Sequence, residues 1–204
     1  MKTIQWKIEY FDEIDSTQKY LLNKLEKENL KNYCVWSEYQ SDGIGTKGRK
    51  WEGKGGNIFL SFCVDLKEYD FVPMQSLSVY FSFLVYKVLV KYKENLIIKW
   101  PNDIYLIEKT PQKVAGVLTN IKKGKIICGI GINTKHAPEI TGEYKAGCLD
   151  IKIKNDKIVK EILEAVLDKK SWKNVFSEYK KIFEKSKKIF DIKNDLNYDA
   201  TLKR

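Results

Sequence analysis

Apolar and polar positions alternate over residues 4–11, which predicts a short strand. Asp15-Ser16-Thr17 follow, with oxygens that can cap a helix whose buried side carries Tyr20, Leu21, Leu22 and Leu25. Cys34-Val35-Trp36 reads as a second strand. Residues 39–57 then break the pattern, holding six of the chain's twelve glycines among Lys, Arg and Asp, and predict a flexible cationic loop. The β-rich run 58–64 restores order, and Pro73 starts an apolar-periodic segment to about residue 92 that predicts a buried helix. Closely spaced strands follow: 97–100 continuing past Pro101 through 104–107, then 114–120, then 126–132. Lys122-Lys123-Gly124-Lys125 is the hairpin turn between the last two.

Hairpin-linked strands imply an antiparallel or mixed sheet, and interspersed helices make the fold α+β. Beyond residue 150 the pattern changes to Lys-rich helices over about 157–169 and 171–188, and no glycine follows Gly147, so the chemistry is expected upstream. The length of 204 residues suits one main domain.

Composition narrows the picture. A net charge of +10, from 37 Lys and Arg against 27 Asp and Glu, attracts anionic ligands or partners but names none. Much of it lies in pairs such as Lys169-Lys170, Lys180-Lys181 and Lys187-Lys188, which read first as a solvated helix face and second as a nucleic-acid surface. Cys34, Cys63, Cys128 and Cys148 form no C-x-x-C pair and signal neither zinc nor a disulfide framework. Reduced thiols packed in the core of a cytoplasmic protein fit better. No segment approaches the roughly 20 apolar residues of a membrane span, and the N-terminal stretch has no signal-peptide core.

Three constellations carry candidate chemistry. The loop Gly43-Ile44-Gly45-Thr46-Lys47-Gly48-Arg49-Lys50-Trp51-Glu52-Gly53-Lys54-Gly55-Gly56-Asn57 offers unobstructed backbone amides, four cationic side chains and an indole, which suit a phosphorylated ligand. It is no Walker A loop, and a mobile surface loop is the competing reading; its length favours function. Lys99-Trp100-Pro101-Asn102-Asp103, followed by Lys113-Val114-Ala115-Gly116, brackets one carboxylate with two lysines. Asp103 can hold Mg²⁺ or orient an amine while a lysine stabilises developing charge, or the residues form an ordinary salt bridge at a strand edge. Gly129-Ile130-Gly131-Ile132-Asn133 ends an apolar strand, where Asn133 suits reading an adenine edge and the glycines equally suit a bend. The lone His136 reads as a surface residue, and no G-x-S-x-G turn supports a hydrolase.

Taken in order, Asp15-Ser16-Thr17, Glu38-Tyr39-Gln40, Gly48-Arg49-Lys50-Trp51, the Lys99 to Asp103 segment, the Lys113 to Gly116 segment and the Gly129 to Asn133 segment closely resemble biotin protein ligases over roughly residues 10–135. The resemblance implies a class II synthetase-like ligase domain in which biotin lies over the sheet and the glycine loop folds across the adenylate. Ser16, Thr17, Gln18 and Gln40 would meet the biotin head, with Gly43, Ile44, Gly45, Thr46 and Gly116 around it. Lys113 would face the carboxylate and phosphate, with Lys99 in support. Lys47, Gly48 and Arg49 would steady phosphate, Trp51 would pack on adenine, Asn102 and Asn133 would bound the nucleotide, and Asp103 would serve Mg²⁺ or the acceptor lysine. The implied reaction forms biotinyl-AMP from biotin and ATP, then transfers biotin to a biotin carboxyl carrier protein.

The chain departs from the family at Ile44 and Thr46, where arginines are common, so adenylate retention is expected to be weaker unless Lys47 compensates. It also leaves no room before residue 10 for a DNA-binding helix-turn-helix, so no DNA partner is expected. After Lys187 it is too short for the small β-barrel that usually closes the family's chain. A minimal ligase and a shortened one both fit. The sheet edges and the C-terminal helices are candidate homodimer interfaces. A lipoate ligase of the same fold, a non-catalytic biotin binder and a basic nucleic-acid binder are the alternatives.

Overall fold

The computed structural model describes residues 5–139 and 145–190. The chain runs β1 (Lys7–Phe11), α1 (Thr17–Lys27), β2 (Tyr33–Ser37), β3 (Gly43–Ile44), β4 (Lys50–Trp51), β5 (Ile58–Asp65) and α2 (Leu77–Leu89). It continues through β6 (Leu96–Lys99), β7 (Asp103–Ile107), β8 (Pro111–Lys122), β9 (Lys125–Ile132), β10 (Lys145–Ala146), α3 (Asn155–Leu167) and α4 (Trp172–Phe190). The main sheet has the order β1-β2-β5-β9-β8-β7-β6, with β10 beside β8. β1 with β2 and β10 with β8 are parallel and the other pairs antiparallel, so the sheet is mixed, as the hairpin pattern predicts.

Strand alternation separates the two faces of the sheet. Ile58, Leu60, Phe62 and Val64 of β5 and Ile126, Cys128, Ile130 and Ile132 of β9 point into the main core, which they share with α2, α3 and α4. The intervening Cys63 and Ile127 point the other way, into a smaller cluster under Leu21 and Leu25 of α1. Gly129, Gly131 and Ser61 lie on that second face past the apolar side of α1, where Thr17 and Gln18 at the start of the helix border a cavity. Because α2 is enclosed by sheet and helices, ten of its thirteen residues are buried, which accounts for its nearly continuous apolar sequence.

Local chemistry sets several boundaries. Ser16 caps α1, its Oγ accepting from the Lys19 amide at 3.3 Å. Lys123 and Gly124 turn the β8–β9 hairpin with φ of 50° and 71°, the left-handed pair such a tight turn needs. The lysines of α3 and α4 flank apolar stripes, Ile158, Ile162 and Val166 on one helix and Val175, Tyr179 and Phe183 on the other, that enter the core. Cys34, Cys63 and Cys128 are buried free thiols and Cys148 is half-buried, as expected.

Two sequence expectations are corrected. The strand expected to continue past Pro101 reverses there: β6 and β7 form an antiparallel hairpin with Lys99 opposite Asp103. The reversal is pinned from the helical layer, where Ser82 and Tyr179 hydroxyls donate to the Pro101 carbonyl at 3.3 and 3.2 Å. The glycine loop is also ordered in part, since β3 and β4 pair Gly43 with Trp51 and enclose a short 3-10 turn at Thr46–Gly48. Among the described residues no helix is long and apolar enough to cross a membrane.

Candidate active site

On the face not covered by α2, α3 and α4, a cavity of about 790 Å³ runs between α1, the β3–β4 hairpin and the strands β7, β8 and β9. Its floor is glycine. Gly116, Gly129 and Gly131 leave the sheet without side chains along one line, and their neighbours need that space. A Cβ at Gly116 would lie 2.8 Å from the Trp51 ring, and one at Gly131 would overlap the same indole. Close approach, rather than a bend, explains the Gly-x-Gly of β9.

One end of the cavity is neutral and rich in hydrogen bonds. Thr17 donates its backbone N–H to Gln40 Oε1 at 2.7 Å, and its hydroxyl lies 2.9 Å from the same oxygen. Ser61 Oγ lies 2.9 Å from Thr17 Oγ1 and 2.9 Å from Gln18 Oε1, while Gln18 Nε2 donates to Asn120 Oδ1 at 3.1 Å. Ser16, Thr17, Gln18, Gln40 and Ser61 are all buried. Helix α1 delivers the first of these because its Ser16 cap starts it directly over β5.

The other end is cationic. Lys113 Nζ lies 2.8 Å from Asp103 Oδ2 and 5.1 Å from the centre of the Trp51 ring. The residue reaches this face through a bulge. Asp103 pairs with Gly116 and Ile104 with Ala115, but Tyr105 pairs with Lys113, so β8 carries one extra residue at Val114. In an unbroken ladder Lys113 would share a face with Ala115 and point into the core; the bulge lets Val114 and Ala115 both enter the core and turns Lys113 to the cavity. Lys99, Arg49 and Lys50 also line this end, and Asp103 and Glu52 are the carboxylates among the lining residues.

The expected site residues thus largely converge. Ile44, Gly45, Thr46, Arg49, Trp51, Lys99, Asn102, Asp103, Lys113, Gly116 and Asn133 line the cavity with Ser16, Thr17, Gln18 and Gln40. Gly43 and Gly48 do not. Gly43 sits tight against the Trp51 carbonyl and Gln40 amide, where a Cβ would come within 2.6 and 2.8 Å, and Gly48 takes a φ of 72° in the turn. Lys47's side chain lies outside the described residues. Asn102 and Asn133 also have framework bonds: Asn102 Nδ2 donates to the Val117 carbonyl, and Asn133 Nδ2 donates to the Gly147 carbonyl at 2.9 Å. His136 is exposed, as its setting predicts.

Sequence reasoning passed over two contributors. Ser61 is the one hydroxyl in the apolar run of β5, and that interruption was the available signal. Asn57, fully buried, accepts the Lys135 and His136 amides at 3.1 Å each and donates to the His136 carbonyl at 2.8 Å, tying the end of the glycine segment to the chain after β9. Asn155 at the start of α3 joins the same junction through the Gly56 carbonyl at 2.9 Å.

Fold and cavity together describe a domain with one elongated cavity, neutral and rich in hydrogen bonds at one end and cationic at the other. A family model for the biotin/lipoate A/B protein ligase family matches residues 10–135, more than half of the chain, and the chain belongs to that family. The bifunctional ligase/repressor BirA of Salmonella typhimurium is 36% identical over 127 residues, covering 59% of this chain and 38% of that protein. This chain therefore spans well under half the length of that curated relative. Among solved structures, the biotin acetyl coenzyme A carboxylase synthetase of Helicobacter pylori with bound biotinylated ATP is similar at 35% identity and a TM-score of 0.77, covering 89% of this chain and 83% of that one. The biotin protein ligase of Aquifex aeolicus in complex with biotin and ATP is similar at 27% identity and a TM-score of 0.69, covering 84% and 76%. These likenesses bear out the expected class II synthetase-like fold.

Proposed function

We propose that the chain is an ATP-dependent biotin protein ligase, which joins biotin to AMP and then passes it to a lysine of a biotin carboxyl carrier protein. The observation that carries this reading is the order of chemistries along one cavity. The neutral network at Thr17, Gln18, Gln40 and Ser61 suits a ureido ring, the glycine floor suits a slender aliphatic chain, and Lys113, Lys99 and Arg49 suit a carboxylate meeting phosphate. The relatives with bound biotinylated ATP, or with biotin and ATP, support the same assignment.

In the first step a biotin carboxylate oxygen attacks the α-phosphorus of ATP, the bond to the bridging oxygen breaks and pyrophosphate leaves. In the second, the acceptor amine attacks the acyl carbon and AMP departs with the electron pair of the broken bond. Negative charge gathers at one place in both steps, and Lys113, which the β8 bulge turns to the cavity, would stabilise it. Asp103 keeps the ammonium oriented through their ion pair and can take the proton that the attacking amine loses. The indole of Trp51 and the β3–β4 hairpin shield the cavity from water that would hydrolyse the mixed anhydride.

A Mg²⁺ ion arriving with the nucleotide needs few protein ligands, because it keeps phosphate and water oxygens in its shell. Asp103 would hold it, and the ion would neutralise phosphate charge. Buried thiols at Cys34, Cys63 and Cys128 suit a reducing, cytoplasmic setting.

Ligand protection separates this reading from a lipoate ligase. Saturating biotin should raise the melting temperature by several degrees and lipoate should leave it unchanged, since a ligand that favours the folded state stabilises it by mass action. Protection by lipoate alone would transfer the assignment to that branch of the family.

A further inference from the structure

Ser61 sits fully buried between Thr17 and Gln18, and the hydrogen bonds around it do not balance as they first stand. Three oxygen–oxygen contacts of 2.9 Å run in a row: Gln40 Oε1 to Thr17 Oγ1, Thr17 Oγ1 to Ser61 Oγ, and Ser61 Oγ to Gln18 Oε1. Two hydroxyls supply only two protons for them. With Gln18 Nε2 donating to Asn120 Oδ1, one contact has none. Rotating the Gln18 and Asn120 amides by half a turn exchanges their nitrogens and oxygens and repairs the deficit. Asn120 then donates to Gln18, Gln18 to Ser61, Ser61 to Thr17 and Thr17 to Gln40. Each contact now has one proton, and all donate in the same direction.

From this geometry we infer that Ser61 is a specificity-determining positioning residue, which fixes the proton direction at Thr17 so that the pocket head selects a ligand carrying an N–H group. The inference rests on the ligase reading above. Once Thr17 has given its proton to Gln40 and accepted one from Ser61, its remaining lone pair faces the ligand only as an acceptor. Gln40 Oε1 already accepts the Thr17 amide and hydroxyl, so its Nε2 is the group left to donate. An acceptor beside a donor matches a cyclic urea, whose N–H adjoins its C=O. A dithiolane offers no N–H, and leaves the Thr17 lone pair buried without a partner. Ser61 lines the cavity with its hydroxyl engaged by Thr17 and Gln18, so its influence on the ligand runs through those two residues, and its place in β5, paired with a strand on either side, holds it rigid.

The test is a ligand-and-variant cycle read by calorimetry with the full chain. Biotin and its two ureido N-methyl derivatives are titrated into the unaltered protein and into Ser61→Ala, Ser61→Cys and Ser61→Thr. The methyl group's bulk is common to every background and cancels in the comparison. In the unaltered protein, methylation of the nitrogen that faces Thr17 should weaken binding strongly. In Ser61→Ala biotin should bind about tenfold more weakly, and the methylation penalty should shrink by about fivefold to tenfold, as for one lost neutral hydrogen bond. Ser61→Thr keeps the hydroxyl and should restore both. Ser61→Cys, a weak donor of similar volume, should fall between, and it carries the test if the alanine variant does not fold. A methylation penalty equal in all four proteins, with biotin bound by the unaltered chain, overturns this inference alone. Failure of the unaltered chain to bind biotin overturns the ligase reading and this inference with it.

Discussion

The Trp51 indole lies in the space that a side chain at position 131 would occupy, so the bare backbone of Gly131 is what lets the β3–β4 hairpin close on the sheet. The same ring lies under the Lys113 ammonium at 5.1 Å from its centroid, and its buried Nε1 has no hydrogen-bond partner among the described residues. Hairpin, floor and lysine are therefore one mechanical unit. An unpaired buried donor costs stability on its own, and a polar atom of a bound ligand is the natural group to relieve it.

Gly131→Ala should displace Trp51 without unfolding the sheet, because the added methyl meets the indole of a surface hairpin rather than core backbone. We expect a melting temperature within a few degrees of the unaltered protein and adenylate released about tenfold faster, a loss on the scale of one aromatic contact. Stopped-flow release of labelled adenylate measures it. Release at the original rate would mean that the Trp51 seat plays no part in retention.

Ile44 and Thr46 line the cavity in place of arginines common in the family. Thr46→Arg should therefore slow adenylate release by about tenfold or more, since a charge-assisted hydrogen bond to phosphate contributes about 1.5–3 kcal/mol. The half-life of the protein-bound adenylate after rapid gel filtration reads this directly. An unchanged half-life would show that other cations already fill the role.

Acid sensitivity should centre on a charge cluster remote from the cavity. Lys169 and Lys31 approach Glu68 at 2.6 and 2.7 Å, and they hold its carboxyl below the usual carboxylate range against the opposing effect of partial burial. A lowered folded-state value adds stability above the ordinary pKa, and that stability is lost as the pH falls through the folded value. At pH 7 Glu68→Gln should be less stable by about 1 kcal/mol, and the gap should narrow as the pH falls below about 4.5. Urea midpoints for the two proteins across that range decide it. A gap that does not change with pH would assign the loss to packing instead.

How far the chain could be read in advance depended on how local each feature is. The α1 cap, the Lys123-Gly124 turn, the long apolar helix and the two amphipathic C-terminal helices follow from residues within a few positions of one another, and each stands close to its predicted place. The resemblance to biotin protein ligases supplied residues that the structure brings together from α1, the glycine hairpin, β7, β8 and β9. What stayed hidden depends on pairing between distant segments. No spacing rule reveals that Val114 bulges and so turns Lys113 to the cavity, or that the chain reverses at Pro101, where two distant hydroxyls meet its carbonyl. Strand β10, with two residues, exists only through its pairing with Gln112 and Lys113. Ser61 gains its role from Thr17 and Gln18, which lie more than forty positions away in the chain and meet its hydroxyl on either side.

The central claim is that this cavity activates biotin with ATP at Lys113, and biotin-dependent exchange of labelled pyrophosphate into ATP tests it most directly. The unaltered chain should support exchange with biotin and none with lipoate, and Lys113→Ala should lower the rate by about 10²- to 10³-fold while keeping its fold, as expected for loss of one preorganised charge-stabilising group. Absence of exchange with biotin, or full exchange in Lys113→Ala, would contradict the account.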